Sequence, residues 1–358
     1  HAVHGKMMQL VKERSPRNPV LIALVTMSLL PLGVLGIAMY QSALSAIKVA
    51  AFQRVELASD LTANTMSLGY AELAAELQVT ASLPRVETSA AEMISGFRDF
   101  QANPSGEESV RTGLLSYYAA MLDTEDDDQK ESESKADVFV NELQGPGLFL
   151  HDLYVRQNAN KTDAKSLLDD AGDGSSYSAG HIELHPVMRS IKERLRLYDI
   201  LLIDAETRNV VYSANKGRDF GAGFASGSLQ KSGPADAVDA LLDSRLADGF
   251  TCVDYMPYGP AENSVLSLAT LVQVEDEVAG VLLFLVSFEQ LDQIISSNGV
   301  SSGSVSYEVY GDSWTRGSEG RSTKLRPHLF VSDEAQAKFT AFTKSKSYSL
   351  RSDEESRG

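Results

Sequence analysis

The chain contains one long stretch without charge, and this stretch constrains its topology more than any other feature. No Asp, Glu, Lys or Arg occurs between Arg17 and Lys48, and the 22 residues of Pro19–Tyr40 are nearly all apolar. An α-helix of this length reaches roughly 33 Å, which is enough to cross a hydrocarbon core of about 30 Å. The apolar region of a cleaved signal peptide is shorter, about 7–15 residues. We therefore expect residues 19–40 to form a transmembrane helix.

The charges on the two sides of this segment predict its orientation. Residues 1–18 carry four basic residues against one acidic residue, a net charge of +3, and subtracting that from the −17 of the whole chain leaves −20 for the remainder. Basic flanks stay in the cytoplasm. We therefore expect a cytoplasmic N-terminus at a bacterial inner membrane, with the bulk of the chain in the periplasm.

Composition excludes several classes of protein. The acidic balance argues against nucleic acid as a partner, because phosphate binding requires a basic face. Cys252 is the only cysteine, which excludes an intrachain disulfide and any multi-cysteine metal site. A lone cysteine in an exported chain is more typical of a periplasmic protein than of a disulfide-stapled one. The apolar run Val278–Val286 is too short to span a membrane, so it indicates a buried strand.

The periodicity of residues 41–147 predicts a helical region outside the membrane. From Leu44 to Leu68 apolar residues recur at spacings of three and four, which places one apolar stripe on a helix emerging from the bilayer. Such a stripe is either part of the domain's own core or the seam of a homodimer. Both interpretations stay open.

More helices are predicted further along, at Tyr70–Leu83, Ala90–Phe100 and Glu107–Leu122, with breaks near Pro84 and Pro104. The charged run Asp123–Lys135 is predicted to be a solvated loop, since it lacks the spaced ligands of a cation site.

After Pro186 the pattern changes from helical to strand-rich. Glu275–Glu277 is predicted to turn the last two strands into a hairpin, and a helical run, Ala235–Leu246, follows the second strand. The five predicted strands are Asp199–Asp204, Asn209–Ser213, Phe250–Tyr255, Val265–Val274 and Val278–Phe288. The fold class is therefore α+β: a transmembrane helix and a helical region, then a small antiparallel five-stranded sheet that resembles PAS-like domains. A short exit helix at Phe288–Ile295 and one more strand at Ser304–Tyr310 are also predicted.

No arrangement of residues in the sequence indicates catalysis. His181 and His185 are four residues apart, but Glu183 is not where a zinc protease needs its glutamate, so hydrogen bonding or packing is favoured over a metal site. The Gly-rich segment Gly217–Gly233 matches no nucleotide-binding motif and is predicted to be a loop over the sheet, and Asp169–Gly180 is predicted to be flexible. We expect no cofactor, no metal and no catalytic residue.

A pocket between the sheet and its loops is the remaining candidate site. Tyrosine offers an apolar body with a hydroxyl group, and a lysine can pair with an anionic ligand head. A surface hydrogen bond or a capped turn is the alternative role for each of these side chains. The residues predicted to contact a small-molecule ligand are Tyr198, Tyr212, Lys216, Asp219, Asp254, Tyr255 and Tyr258.

Five segments together resemble the double-Cache sensor regions of bacterial receptors. They are Leu148–Leu168 with Tyr177, His181 and His185-Pro186 after it; Tyr198–Asp204; Val211–Gly221, VYSANKGRDFG; Asp254–Pro260, DYMPYGP; and Ala279–Ile295. The sequence departs from the family after Lys216, where Gly217-Arg218 stand in place of an acidic residue, and at Gly259–Glu262, where the family has a loop with proline and serine.

The resemblance implies a ligand-sensing domain at residues 148–297 and an incomplete membrane-proximal segment at 298–358. Such regions belong to methyl-accepting chemotaxis proteins, receptor nucleotide cyclases and histidine kinases. It implies the input part of a chemoreceptor that signals by displacement of a helix, with a homodimer formed through the membrane-emergent helices. The alternatives are the sensor region of a receptor cyclase or histidine kinase, and an anchored scaffold without a ligand.

Overall fold

The computed structural model describes residues 17–100, 106–123, 129–143, 145–244 and 249–290, together with four short strands between residues 308 and 351. The chain divides into two compact units, His1–Ala58 and Ser59–Gly358. Helix α1, Arg17–Ala81, contributes residues to both units.

In the first unit α1 is apolar and exposed. The segment Ile22–Ala51 has a mean hydropathy of 2.2, and none of it is buried. It is the one helix in the described part of the chain that is long and apolar enough to cross a membrane. The predicted N-terminal apolar helix is therefore confirmed, and the helix continues well past Tyr40 as the spacing from Leu44 to Leu68 predicts.

The second unit contains the end of α1 and six further α-helices. A five-residue π-helix, Asp152–Arg156, follows α5 directly, and a 3₁₀ segment, Thr162–Leu167, precedes α6. The helices are α2 (Pro84–Asp99), α3 (Glu107–Asp123), α4 (Gln129–Glu142), α5 (Pro146–His151), α6 (Ser176–Leu195) and α7 (Gly233–Ser244).

Two local predictions about helices are wrong. The charged run Asp123–Lys135 is not a loop throughout, because α4 begins at Gln129; residues 124–128 lie outside the described residues. The buried side chains that hold α4 in place, Ala136 and Val140, come after the charges. Burial of this apolar face outweighs the weak local preference of the charged segment.

The helix at His181 and His185 also does not end at Pro186 but continues to Leu195. Proline removes the hydrogen bond to the carbonyl four residues earlier. That residue is Ile182, which is 40% exposed, so water can reach its side of the helix. Ser175 caps the first turn by accepting a hydrogen bond from Ser178 N at 3.1 Å, and the predicted flexible segment Asp169–Gly180 is therefore helical from Ser176 onward.

The predicted five-stranded antiparallel sheet is confirmed. Its strands are β1 (Asp199–Asp204), β2 (Val210–Ser213), β3 (Phe250–Tyr258), β4 (Asn263–Val274) and β5 (Glu277–Val286). The spatial order is β2-β1-β5-β4-β3, so the last strand occupies the centre. Glu275 and Asp276 adopt φ values of 51° and 67°, as a tight β4–β5 hairpin requires.

Both faces of this sheet are covered by helices. Alternate residues of β1 and β5, such as Leu202 and Phe284, pack with α1, α2 and α6, whereas Leu201 and Leu283 pack with α3, α4 and α7. The sheet therefore lies between two layers of helices, and polar side chains near its β2 edge are buried on either side.

Beyond the sheet, residues 288–290 are helical, and residues 291–295 of the predicted exit helix lie outside the described residues. Four short strands form a second sheet with the order β8-β7-β6-β9. They are β6 (Glu308–Tyr310), β7 (Thr315–Gly317), β8 (Ser322–Thr323) and β9 (Leu350–Arg351). The predicted strand Ser304–Tyr310 coincides with β6 at 308–310, and its residues 304–307 lie outside the described residues.

Candidate functional site

Lys216 lies just after β2, and its side chain is only 2% exposed. Its Nζ is 2.8 Å from Nε2 of His185, and Nδ1 of His185 is 2.8 Å from the hydroxyl oxygen of Tyr212. Helix α6 thus brings a histidine to two residues of the β2 edge. These three side chains and the neighbouring His181 are called the Lys216 cluster below.

Burial lowers the pKa of every basic group in this cluster. It lowers the pKa of Lys216 to about 7, and the charge of Asp199 partly opposes that effect. It lowers the pKa of His185 to about 3, and the nearby charge of Lys216 acts in the same direction. The pKa of His181 is also lowered, by burial first and then by Lys216. Both imidazoles are therefore neutral at pH 7.

His181 leaves one ring nitrogen without a partner. Its Nδ1 lies 2.7 Å from the carbonyl oxygen of Asp169, to which it donates, and its ring stacks on that of His185 with centroids 4.6 Å apart. Its Nε2 is buried and has no hydrogen-bond partner among the described residues. No group of three His, Cys, Asp or Glu side chains in the described part of the chain is arranged to hold a metal.

A second polar group lies around Asp219, which is 1% exposed. The hydroxyl of Tyr258 donates to Oδ2 of Asp219 at 2.5 Å. The other carboxylate oxygen, Oδ1, is buried without a hydrogen-bond partner among the described residues. Nearby, the hydroxyl of Tyr198 donates to the carbonyl of Pro260 at 2.7 Å. We call Asp219, Tyr258 and Tyr198 the Asp219 group.

The charge of Asp199 acts on both the Lys216 cluster and the Asp219 group. Its carboxylate accepts hydrogen bonds from Ser213 Oγ at 2.7 Å and from the backbone N–H groups of Ile200 and Asn215 at 2.8 and 3.0 Å. Burial and then the charge of Asp219 raise its pKa to about 7. Burial likewise raises the pKa of Asp219. The charge of Asp199 also raises the pKa of Lys216 against the effect of burial.

Tyr255 and Asp254 belong to neither group. The Tyr255 hydroxyl donates to the carbonyl of Ser287 at 3.2 Å and lies 3.3 Å from the Tyr70 hydroxyl on α1. Its ring stacks on Phe288 with centroids 4.5 Å apart. Asp254 accepts a hydrogen bond from the backbone N–H of Tyr255 at 2.7 Å. This pair links the middle of β3 to α1 and to the residues after β5.

The structure places five of the seven predicted ligand residues in these two groups: Tyr212 and Lys216 belong to the Lys216 cluster, and Tyr198, Asp219 and Tyr258 form the Asp219 group. Asp254 and Tyr255 contact each other, and Tyr255 also contacts Tyr70, Ser287 and Phe288. That these residues bind a ligand stays a prediction. Sequence reasoning missed the part played by Asp199. The signal that could have found it is an acidic residue beginning a strand whose positions are all buried.

An ionised carboxylate only accepts hydrogen bonds, so Oδ1 of Asp219 can accept one from an N–H or O–H group.

No protein-family model matches the chain, and no curated protein matches it. Among solved structures, it is similar to the sensor domain of the Vibrio cholerae histidine kinase DctB, with 16% identity and a TM-score of 0.26. That alignment covers 50% of this chain and 61% of the DctB domain.

It is similar to the sensory domain of the Campylobacter jejuni chemoreceptor Tlp3 with isoleucine bound, with 10% identity and a TM-score of 0.26 over 64% of this chain and 80% of that one. It is also similar to the ligand-binding domain of Mlp24 with asparagine, with 14% identity and a TM-score of 0.26 over 64% and 82% of the two chains. Sensor domains of a histidine kinase and of a chemoreceptor, two receptor classes that the sequence resemblance names, are thus among the solved structures to which this chain is similar.

Proposed function

We propose that this chain is the extracytoplasmic small-molecule sensor part of a bacterial transmembrane chemoreceptor. Its N-terminus is cytoplasmic, Pro19–Tyr40 crosses the inner membrane, and the bulk of the chain is periplasmic. Ligand binding displaces α1, and the displacement passes through the membrane. The chain itself performs no reaction.

The observation that carries this proposal is the incomplete hydrogen bonding of Asp219. A buried carboxylate oxygen without a donor costs free energy, on the order of 1–3 kcal/mol or more for a charged group. Such a group is retained where it meets a ligand, and the Asp219 group contains three of the seven residues predicted from the sequence. The ligand class that fits is a small polar molecule with an N–H or O–H donor.

The exposed apolar segment Ile22–Ala51 supports the membrane part of the proposal. Contiguous apolar surface of this size is costly in water and is typical of a membrane span. Basic residues before it and acidic residues after it favour a cytoplasmic N-terminus.

The proposal includes a homodimer formed through α1 beyond Tyr40. Large apolar side chains remain exposed on this helix, with Leu57 70%, Leu61 47% and Leu68 71% accessible. Their spacings of four and seven residues fit the seam of a paired helix. Energy for signalling is then the ligand's differential affinity for two arrangements of the helices, typically about 1–3 kcal/mol.

A thermal-shift screen tests the proposal. The full chain, reconstituted in lipid nanodiscs, is heated with each of the twenty amino acids and with mono- and dicarboxylic acids of two to six carbons. We expect at least one compound to raise the unfolding midpoint in a concentration-dependent way, because a ligand that binds only the folded state stabilises it. If none of these compounds shifts the midpoint, the scaffold alternative is favoured and direct sensing of this ligand class is contradicted.

A further inference from the structure

Only one hydrogen atom can lie between Nζ of Lys216 and Nε2 of His185 in their contact. Their nitrogens, Nζ and Nε2, are 2.8 Å apart, so one must donate and the other must accept. If both groups are protonated, no acceptor remains and two positive charges face each other in a buried site. The contact therefore requires a neutral imidazole on His185.

The carbonyl of Ser166 competes with Lys216 for the same ring nitrogen of His185. It lies 2.6 Å from the same Nε2 of His185, which either donates to this carbonyl or accepts from Lys216 but cannot do both. Nη1 of Arg189 also donates to the Ser166 carbonyl, at 2.9 Å, so the carbonyl keeps a donor in either case. One histidine thereby joins α6 to the 3₁₀ segment and to β2.

A second neutral histidine lies directly against the first. The rings of His181 and His185 are tilted by only 23° at a centroid distance of 4.6 Å, and His181 in turn binds the carbonyl of Asp169. Protonation of His181 would add a further positive charge beside Lys216. The contact of α6 with Lys216 therefore depends on an uncharged imidazole. The bonds from Tyr177 to the Val211 carbonyl at 2.8 Å and from Arg189 to Ser166 and Asp169 do not.

The acidic groups around the cluster offset such added charge only in part: the charge of Asp169 raises the pKa of His185, but burial and the charge of Lys216 lower it more. The carboxylate of Asp169 is already paired with Arg189 at 2.7 Å, and that of Asp199 is held by three donors from β1, β2 and the residues next to them. The groups that face Lys216, His185 and His181 are Asp169 from the segment before α6, Arg189 and Tyr177 from α6, Asp199 from β1, Tyr212 from β2 and Tyr154 from the π-helix.

We propose that the Lys216 cluster is a proton-operated clasp, which releases α6 from Lys216 at the β2 edge when the periplasm becomes acidic. Protonation of His185 breaks its contact with Lys216, and protonation of His181 adds a further positive charge beside it. The hydrogen-bond donors to Asp199 come from β1, β2 and Asn215 and stay in place when α6 moves. The clasp does not depend on which ligand, if any, the domain binds.

The direction and size of the effect of pH on opening follow from the pKa values of His185 in the open and closed forms. His185 has its ordinary pKa of 6.5 when exposed and a pKa of about 3 in the closed cluster. When the pH falls from 7.5 to 5.0, His185 takes up a proton in the open form and not in the closed form. This uptake shifts the equilibrium toward the open form by about 30-fold.

Hydrogen exchange measured by mass spectrometry on the full chain in nanodiscs tests the clasp. Protection factors, corrected for the chemical exchange rate, are compared at pH 7.5 and pH 5.0. We expect protection of Ser176–Leu195 to fall by about tenfold or more at pH 5.0, while protection of β4 in the sheet stays the same. The proposal is overturned if α6 is equally protected at both pH values, or if β4 loses as much protection as α6 at pH 5.0.

Two variants separate this cluster from other buried histidines. The double variant His181→Phe with His185→Gln cannot take up the protons, so its α6 should stay protected at pH 5.0. His151 is the matched control: it is buried between the Tyr118 hydroxyl and the Phe220 carbonyl, each 2.6 Å away, and burial lowers its pKa to about 4. His151→Gln should leave the acid response of α6 intact. An unchanged response in the double variant, or its loss in His151→Gln, contradicts the assignment to the Lys216 cluster.

Discussion

Lys216 is a buried lysine whose Nζ lies 2.8 Å from Nε2 of the His185 imidazole. Removing a charge from water is expensive, and one neutral partner does not offset the cost. Such a residue weakens the fold that contains it.

The stability effect of Lys216 has a defined sign. Its pKa falls from 10.5 in the unfolded chain to about 7 in the folded one, so stability is lost as the pH falls from 10.5 to 7 and stays reduced below 7. Lys216→Met removes this loss. We expect it to stabilise the chain by about 1–3 kcal/mol at pH 6, and by less at pH 10, as measured by the thermal unfolding midpoint in nanodiscs.

Lys165 provides the matched control for this measurement. It is also a buried lysine with a pKa lowered by burial, but its Nζ donates to the carbonyl of Asn158 at 2.6 Å. Lys165→Met loses this bond and should destabilise the chain or leave it unchanged. A lower midpoint for Lys216→Met than for the unaltered chain at pH 6 would show that the buried charge is compensated.

At the residue scale, the sequence identified polar side chains that are buried and hydrogen-bonded. It did not identify which of them contact one another. Lys216, Tyr212, Asp219 and Tyr258 are all buried and hydrogen-bonded, but in two separate groups. Residue type and order cannot tell which face of the sheet a loop residue reaches, because that depends on how the loop after β2 folds over the edge. Asp199 was missed because its partners Ser213 and Asn215 are brought to it by the pairing of β1 with β2.

At the element scale, the loop after β2 is fixed by a contact between two backbones. An ideal Cβ on Gly147, in the first turn of α5, would lie 1.9 Å from the carbonyl oxygen of Gly221. Gly221 itself has a φ of 84°, which disfavours other residues. The close approach of α5 and this loop therefore requires glycine on both sides.

Gly147→Ala tests this contact, because the added methyl group meets rigid backbone rather than a movable side chain. We expect a loss of about 3 kcal/mol or more in the free energy of unfolding, read as a lower thermal midpoint. Gly259→Ala is the control: no atom lies within 4 Å of its ideal Cβ, so its effect should stay within about 0.5 kcal/mol. Equal midpoints for the two variants would mean that α5 and the loop can move apart freely.

The elements themselves could mostly be predicted. All five strands and α7 follow local patterns of apolar runs and turn residues, and β1 has the predicted bounds. Prediction failed where packing overrides local preference. Helix α4 begins within a charged run because Ala136 and Val140 are buried, and α6 passes through Pro186 because its buried face continues to Ile191.

At the scale of the whole molecule, the uneven distribution of charge and apolar residues produces two different environments. The residues of Ile22–Ala51 are apolar and exposed, whereas the second unit buries its own apolar residues on both faces of a sheet. This division could be read from the sequence, since an uncharged run is visible without any knowledge of packing. The interior of the second unit could not, because its buried charges become partners only in three dimensions.

Calorimetric titration of the full chain in nanodiscs tests the central claim, that this unit binds a small molecule through the Asp219 group. We predict that at least one of the amino acids or carboxylic acids binds with one site per chain, and that Asp219→Asn weakens its binding by more than about tenfold. Asp239→Asn, which alters a partly exposed carboxylate paired with Arg208, should leave binding unchanged. The account is contradicted if none of these compounds binds, or if Asp219→Asn binds its ligand as tightly as the unaltered chain.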